Sequence, residues 1–318
     1  MIPFYLSLLP GEHIYSWCAR SFWLSGIYSK NDYLKKIGIK SIEMLPNLPM
    51  TKSSQKTCFF AKQYNESSCL GSIATTYPLW VLSVNSEKYN NTLAGLNRCT
   101  LKTDLHVARQ SGISHMSSTW KACPNCTQED LDKFGSSYWH VQHQLSGIFS
   151  CYKHGCTLQT PKERLTNLSC LLLPHQIEFW SDVAFELSEI QIEFSEFLHL
   201  MYNFALKDAN ELTQHKDKFW QLFNINGSNL SQKVAMAESI ESEFVSDLGI
   251  TFLSSIFSYY LDSNKTNRRK VINTIIASDT QYRYLDPTFW AVVLFWKREQ
   301  LGLSQKISNA CASYISSI

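Results

Sequence analysis

Lys121-Ala-Cys-Pro-Asn-Cys126 and Cys151-Tyr-Lys-His154-Gly155, with 24 residues between the two segments, set the fold of the centre of this chain. Two side chains three positions apart on a tight turn span one edge of a metal tetrahedron, as Cys123/Cys126 and Cys151/His154 do, and two such knuckles complete the four-coordinate site of one structural Zn²⁺. A site closed by four protein ligands is structural and not catalytic. Pro124 stiffens the turn between the first two thiolates because its φ is fixed. Cys156, His140 and His143 compete for the fourth position; His154 ranks first because it mirrors the spacing of the first pair, and Cys156 follows it. A thioredoxin-type redox pair is the other use of Cys-x-x-Cys, but it requires a βαβ setting. Here the motif follows Ser117-Ser-Thr and precedes Thr127-Gln-Glu-Asp, with no such pattern around it.

Working outward, the loop Phe134-Gly-Ser-Ser-Tyr-Trp-His140 supplies Tyr138 and Trp139 as the small apolar core that so short a module needs beside its metal. The whole chain has 318 residues, 44% of them apolar, and a mean hydropathy of −0.18. That length accommodates two or three domains with ordinary cores. No run of about 18 apolar residues suggests a membrane span. The opening Met1-Ile-Pro-Phe-Tyr-Leu-Ser-Leu-Leu-Pro10 lacks the basic start of a signal peptide, so a cytoplasmic protein is expected. Ten cysteines without a secretion signal fit reduced thiols plus one metal site better than a disulfide scaffold. Cys18, Cys58, Cys69, Cys99, Cys170 and Cys311 read as core or incidental residues.

The net charge of +2 hides a segregation. Residues 176–262 carry 14 acidic against 4 basic side chains, whereas residues 1–175 are net +7 and 263–318 net +5. A nucleic acid would meet the flanks, because phosphate contacts come from Lys and Arg. The acidic block itself reads as a solvated helical face.

Hydrophobic spacing predicts a mainly α chain with short β-strands near the zinc. Ile14, Trp17, Cys18 and Phe22 mark a helix of about four turns that ends near Gly26. Residues 30–37 form a second short helix, Leu45-Pro-Asn-Leu-Pro49 a linker, and residues 53–71 and 88–99 weaker helices. After Pro174, the apolar stripe from Phe179 through Trp180, Phe185, Phe194, Phe197 and Met201 to Phe204 predicts one long helix or two in succession. A helix-turn-helix candidate follows: Phe219-Trp-Gln-Leu-Phe223, the turn Asn224-Ile-Asn-Gly-Ser-Asn229, then a helix capped by Ser231. Its second helix carries Glu238, Glu241 and Glu243, a poor complement to phosphates. Cations concentrate next, in Ser263-Asn-Lys265-Thr-Asn-Arg268-Arg269-Lys270, at the start of a helix through Val271, Ile272 and Ile275. These, with Arg283, are the candidate DNA backbone contacts. The aromatic run Phe289–Trp296 is chiefly core. No Gly-rich phosphate loop, nucleophile elbow or carboxylate constellation appears.

Pro10-Gly-Glu-His-Ile-Tyr-Ser-Trp-Cys-Ala-Arg20, then Ala122-Cys-Pro-Asn-Cys126, Tyr138-Trp139, His143-Gln-Leu145, Cys151-Tyr-Lys-His-Gly155 and Leu158, resembles in order and spacing the TniQ/TnsD family, the target-selection subunits of cut-and-paste transposons. The resemblance covers roughly residues 1–160; the remainder is similar to the TnsD branch more weakly. It implies a non-enzymatic, nucleoid-associated bacterial protein built of helix-turn-helix-type helical domains flanking a zinc finger. The expected domains are 1–118 (helical), 119–160 (zinc module) and 161–318 (helical, with the basic segment). It further implies that the protein binds double-stranded target DNA and recruits a TnsC-like AAA+ ATPase, which brings the transposase. Cys123, Cys126, Cys151 and His154 take the family's zinc-ligand positions. Bridging an RNA-guided complex to the same ATPase is the alternative. Members working that way often carry a second cysteine cluster, which Cys156 and Cys170 do not make. The TnsD-like branch is therefore expected, with this chain a short member or the N-terminal part of a longer one.

Overall fold

Helices follow where apolar residues recur at helical spacing and a cap is available, and the computed structural model of the protein describes them over residues 6–37, 73–83, 86–98, 119–162, 165, 171–181, 186–261, 270–281 and 285–304. They are α1 (Ile14–Leu24), α2 (Lys30–Lys36), α3 (Ser86–Arg98), α4 (Pro124–Phe134), α5 (Glu189–Lys207), α6 (Ala209–Leu222), α7 (Leu230–Leu248), α8 (Ile250–Ile256), α9 (Val271–Gln281) and α10 (Pro287–Trp296). The architecture is mainly helical. Among the described residues the short strands expected near the zinc module are single antiparallel bridges: Glu12 with His140, Ala122 with Gln159, Ser150 with Thr157 and Pro161 with Trp180. The chain divides into two compact units, one from Met1–Tyr77, Asn90–Leu105 and Ser118–Ser188, the other from Pro78–Tyr89, His106–Ser117 and Glu189–Ile318.

In the first unit, Gly11 adopts φ +66°, a conformation that costs other residues strain, and the turn it makes carries Glu12 into the interior. Arg20, two turns along α1, donates to Glu12 Oε1 at 2.7 Å and Oε2 at 2.6 Å, and also to the Ser7 carbonyl at 2.8 Å. The Leu9 amide adds a bond to Glu12 Oε2 at 2.9 Å. Both side chains are buried, so each compensates the desolvation of the other. The same turn joins the metal-bearing segment through backbone bonds from His13 to Trp139 (2.8 Å) and from Val141 to Gly11 (2.9 Å). Tyr138 Oη donates to the Pro10 carbonyl at 3.0 Å, and the Trp139 amide donates to Ser16 Oγ at 2.9 Å. Trp139 lies at the centre, beside Trp120, with its indole N–H on the Leu172 carbonyl at 2.8 Å. Tyr138 and Trp139 thus do form the core expected of them. Helix α1 has three turns, shorter than expected, and ends at Ser25 before Gly26.

The expected helix through Phe179 and Trp180 does not form. Ser181 donates its amide to Thr160 (2.7 Å) and Lys162 to Phe179 (3.0 Å), so this stretch spends its backbone groups on a cross-chain pairing, and Phe179 is left 57% exposed. The helix begins only at Glu189. In the second unit, α10 is apolar all round and every residue from Pro287 to Trp296 is buried, as a helix surrounded by others must be. Phe295 packs against Phe194, Phe197 and Phe252, and Trp296 against Phe219, Phe223 and Phe244. The first helix of the helix-turn-helix candidate is longer than Phe219–Phe223 and starts at Ala209, capped by Asp208. Asn229, not Ser231, caps the second, accepting from the Gln232 amide at 3.1 Å. A Cβ at Gly227 in the turn would lie 2.4 Å from Asp217 Oδ1, so the exposed Asp217 side chain would have to turn aside.

Removing Glu12 leaves a guanidinium buried without its partner. Glu12→Ala should therefore lower stability by about 3–5 kcal/mol. The double change Glu12→Leu, Arg20→Met should recover most of that loss, a difference that chemical denaturation of the zinc-loaded protein measures.

Candidate metal centre

Pro124 at the first position of α4 has no amide to satisfy and a φ already suited to a helix, so the helix starts immediately after Cys123. Cys123 is the N-cap: its Sγ accepts the Cys126 amide at 3.4 Å, and both sulfurs come to the same end of the helix. Thr127-Gln-Glu-Asp130 is thus part of the body of a helix. Gly135, with φ +69°, ends α4 by donating to the Leu131 carbonyl at 2.9 Å. The second knuckle is the tip of a hairpin. Leu158 pairs with Phe149, the Cys151 amide donates to the Cys156 carbonyl at 2.9 Å, and the Gly155 amide donates to the Cys151 carbonyl at 2.8 Å. Gly155 makes this tip at φ +65°.

These two supports bring Cys123, Cys126, Cys151 and His154 together, with all four donor atoms within 4.8 Å of one another. His154 Nδ1 stands 3.3 Å from Cys123 Sγ, 3.4 Å from Cys126 Sγ and 3.7 Å from Cys151 Sγ. The Cys126 and Cys151 sulfurs are 3.6 Å apart. A tetrahedron with Zn–S of about 2.3 Å and Zn–N of about 2.05 Å has edges of roughly 3.8 Å between sulfurs and 3.6 Å between sulfur and nitrogen. These four distances accord with a tetrahedral ion of that size. His154 Nε2 bonds Glu129 Oε1 at 3.0 Å, so that in the neutral ring a metal ion requires, Nε2 keeps the proton and Nδ1 faces the sulfurs. Lys153 also bonds Glu129, fixing the carboxylate from its other oxygen. Glu129 escaped the sequence reading, although its place three residues after Cys126 puts it on the same face of α4.

The rival donors have other partners. His140 Nε2 bonds Asp130 Oδ2 at 2.9 Å, and its ring stacks on Tyr138 with centroids 4.3 Å apart. The His143 ring packs between those of His140 and Tyr152, with centroids 4.8 and 6.4 Å away. Cys156 Sγ lies 3.3 Å from Cys123 Sγ, a neighbour of one ligand and not a member of the four-donor group. Without an ion, hydrogen bonds from Cys126 and Cys151 hold Cys123 well below the usual thiol range, while the same contacts push Cys126 up. Burial works against charge on His154, yet hydrogen bonding to Glu129, Cys151 and Cys123 raises it to about 9. A bound cation replaces this sharing by drawing the thiolates and the neutral imidazole onto itself. Cys18 illustrates the contrast: burial pushes its thiol up to about 12, and it is inert.

Of the candidate DNA contacts, Lys265, Arg268, Arg269 and Arg283 lie outside the described residues. Lys270 is half-buried at the start of α9, where its carbonyl accepts from the Thr274 amide at 2.9 Å and Thr274 Oγ1 at 2.7 Å. Glu238 and Glu243, on α7, are exposed as the charge pattern led one to expect; Glu241, on the same helix, is buried.

A family model described as TniQ matches residues 3–158, a span that contains the Gly11 turn, α1 and all four donors. A comparison with curated proteins finds no match.

Cys126→Ser should abolish retention of one zinc per chain and unfold residues 119–160, since such modules take their folding energy from the metal; elemental analysis and thermal melting of the purified protein read both. Glu129→Gln should keep the fold but weaken zinc affinity about 10- to 100-fold, measured by competition with a chromophoric chelator.

Proposed function

We propose, taking as premise that the chain belongs to the TniQ family, that it is the target-site selector of a cut-and-paste DNA transposon. In this proposal it binds a specific double-stranded target and recruits the AAA+ ATPase regulator that brings the transposase. It is not an enzyme. The observation that carries the proposal is the family-matched segment 3–158 built around a closed set of four donors. Four protein ligands leave an ion no open position at which to activate water or a substrate, so a zinc ion held by Cys123, Cys126, Cys151 and His154 supplies folding energy and shape. That is the property a docking protein requires and a metallohydrolase cannot use.

The functional parts are an N-terminal helical domain over residues 1–118, the zinc module over 119–160 and a C-terminal helical domain over 161–318. DNA contacts are assigned to Lys265, Arg268, Arg269, Lys270 and Arg283, on the basic side of the charge segregation. The exposed Glu238 and Glu243 of α7 argue against that helix lying along a phosphate backbone. A cytoplasmic, nucleoid-associated location accords with this role, and no helix among the described residues is long and apolar enough to cross a membrane.

Selection of fragmented bacterial genomic DNA on the zinc-loaded protein at near-physiological salt tests the proposal. Enrichment of one short sequence is expected; flat retention would favour an adaptor placed on DNA by an RNA-guided complex. Arg268→Ala with Arg269→Ala should lower duplex affinity and reduce the slope of log K against log salt by about 1 to 2, one unit for each phosphate no longer neutralised. An unchanged slope would remove the basic segment from the interface.

A further inference from the structure

A fifth soft donor stands beside the four. Cys156 Sγ lies 3.3 Å from Cys123 Sγ, and His154 Nδ1 lies 3.3 Å from the same sulfur. Two donors thus converge on one thiolate, and a four-coordinate ion has room for only one of them. Both come from the tip of the hairpin, on either side of Gly155, whose φ of +65° turns the chain between them. The Cys156 carbonyl accepts the Cys151 amide at 2.9 Å, so the backbone at Cys156 is held and its sulfur moves by rotation of the side chain.

The five donors divide by burial. Cys123, Cys126 and Cys151 are buried, whereas His154 and Cys156 are half-buried. The three inner sulfurs are held from within the fold, Cys123 and Cys126 by the start of α4 and Cys151 by the base of the hairpin tip. His154 is held from outside, by Glu129, whose side chain is 48% exposed, and a bond to so exposed a carboxylate is readily traded for one to water. The fourth position is therefore the exchangeable one. The two donors that compete for it differ in softness: an imidazole suits zinc, and thiolates are selected by softer ions.

We infer that Cys156 is a reserve donor that gives the site a second mode of metal binding. Zinc is held by Cys123, Cys126, Cys151 and His154; a softer, thiophilic divalent cation such as Cd²⁺ is held by the three inner thiolates and Cys156. The inference rests on the assignment of the four zinc ligands above. In the exchange the bond from the ion to His154 Nδ1 breaks, Cys156 gives its thiol proton to water, and its thiolate takes that position on the ion. His154 keeps its bond to Glu129. The chain thus distinguishes a soft cation from zinc by which side of the Gly155 turn binds it.

The test adds Cd²⁺ to the full, zinc-loaded chain under reducing conditions, with the wild type and variants in parallel. Elemental analysis after desalting gives the Cd:Zn ratio retained, and the ultraviolet thiolate-to-cadmium charge-transfer band counts the sulfurs on the ion. Cys156→Ser leaves the zinc ligands in place and is expected to keep one zinc per chain before cadmium is added. Its band per bound cadmium should fall by about a quarter, one thiolate in four, and its retained Cd:Zn ratio about tenfold. His154→Ala should still hold one ion per chain through Cys156, and His154→Ala with Cys156→Ser should lose it. An unchanged band and ratio in Cys156→Ser would overturn the inference, whether or not the His154 variants fold. Loss of zinc from Cys156→Ser would also overturn it, since Cys156 would then be the ordinary fourth ligand. Zinc retained by Cys126→Ser would instead remove the ligand assignment, and the inference with it.

Discussion

The buried pair of Glu12 and Arg20 is the constraint on which the first unit depends. A carboxylate beneath the surface requires its guanidinium, and the guanidinium two turns into α1 fixes how the chain enters that helix. Because the entering strand-like residues Gly11 and His13 carry the backbone bonds to Val141 and Trp139, the geometry of the pair is transmitted directly to the segment that presents the metal donors. Pro10, Gly11, Glu12 and Arg20 therefore behave as one device: a proline and glycine to turn, an acid to be buried and a base to make burial tolerable.

The metal centre extends the same economy. The donor-bearing segment belongs to the first compact unit and shares its core with α1, where Trp120 packs on Tyr15 and Trp139. Cys123 serves twice, as the cap of α4 and as a donor, and Glu129 holds His154 in the tautomer that faces the sulfurs. Four protein donors would leave an ion no open position, in accord with the role proposed above.

Much of this was legible in advance, and the exceptions have physical causes. The donor spacing in Cys123, Cys126, Cys151 and His154 is local, so sequence alone could single it out, and the structure brings those four side chains together. Helix α10 was readable as core because an uninterrupted apolar run cannot face water. The failure at Phe179 and Trp180 came from periodicity being a one-dimensional signal: the stripe was compatible with a helix, but pairing with Thr160 and Lys162 claimed the backbone first. Ser231 lost the cap to Asn229 by two residues, the usual precision of such signals. Glu129 and Glu241 were missed for opposite reasons. Glu129 had a positional clue on α4 that went unused, whereas Glu241 looked like one more acid on a charged helix, and only the approach of Tyr260 and Ile272 gives it a purpose.

The bond from Tyr138 to the Pro10 carbonyl joins residues 128 positions apart, and this separation governs the order of events at the ribosome. At roughly 5–20 residues per second, the N-terminal turn waits on the order of 6–25 s for its partner to be synthesised. Arg20 is only eight residues from Glu12, so the ion pair can form early and keep the acid from wandering. Other contacts of α1 are also local, since the Phe22 ring meets Tyr33 and the Trp17 indole donates to the Leu6 carbonyl. A chain interrupted before residue 138 therefore keeps the Glu12–Arg20 pair but lacks the bonds that Tyr138, Trp139 and Val141 make to the Pro10–His13 turn.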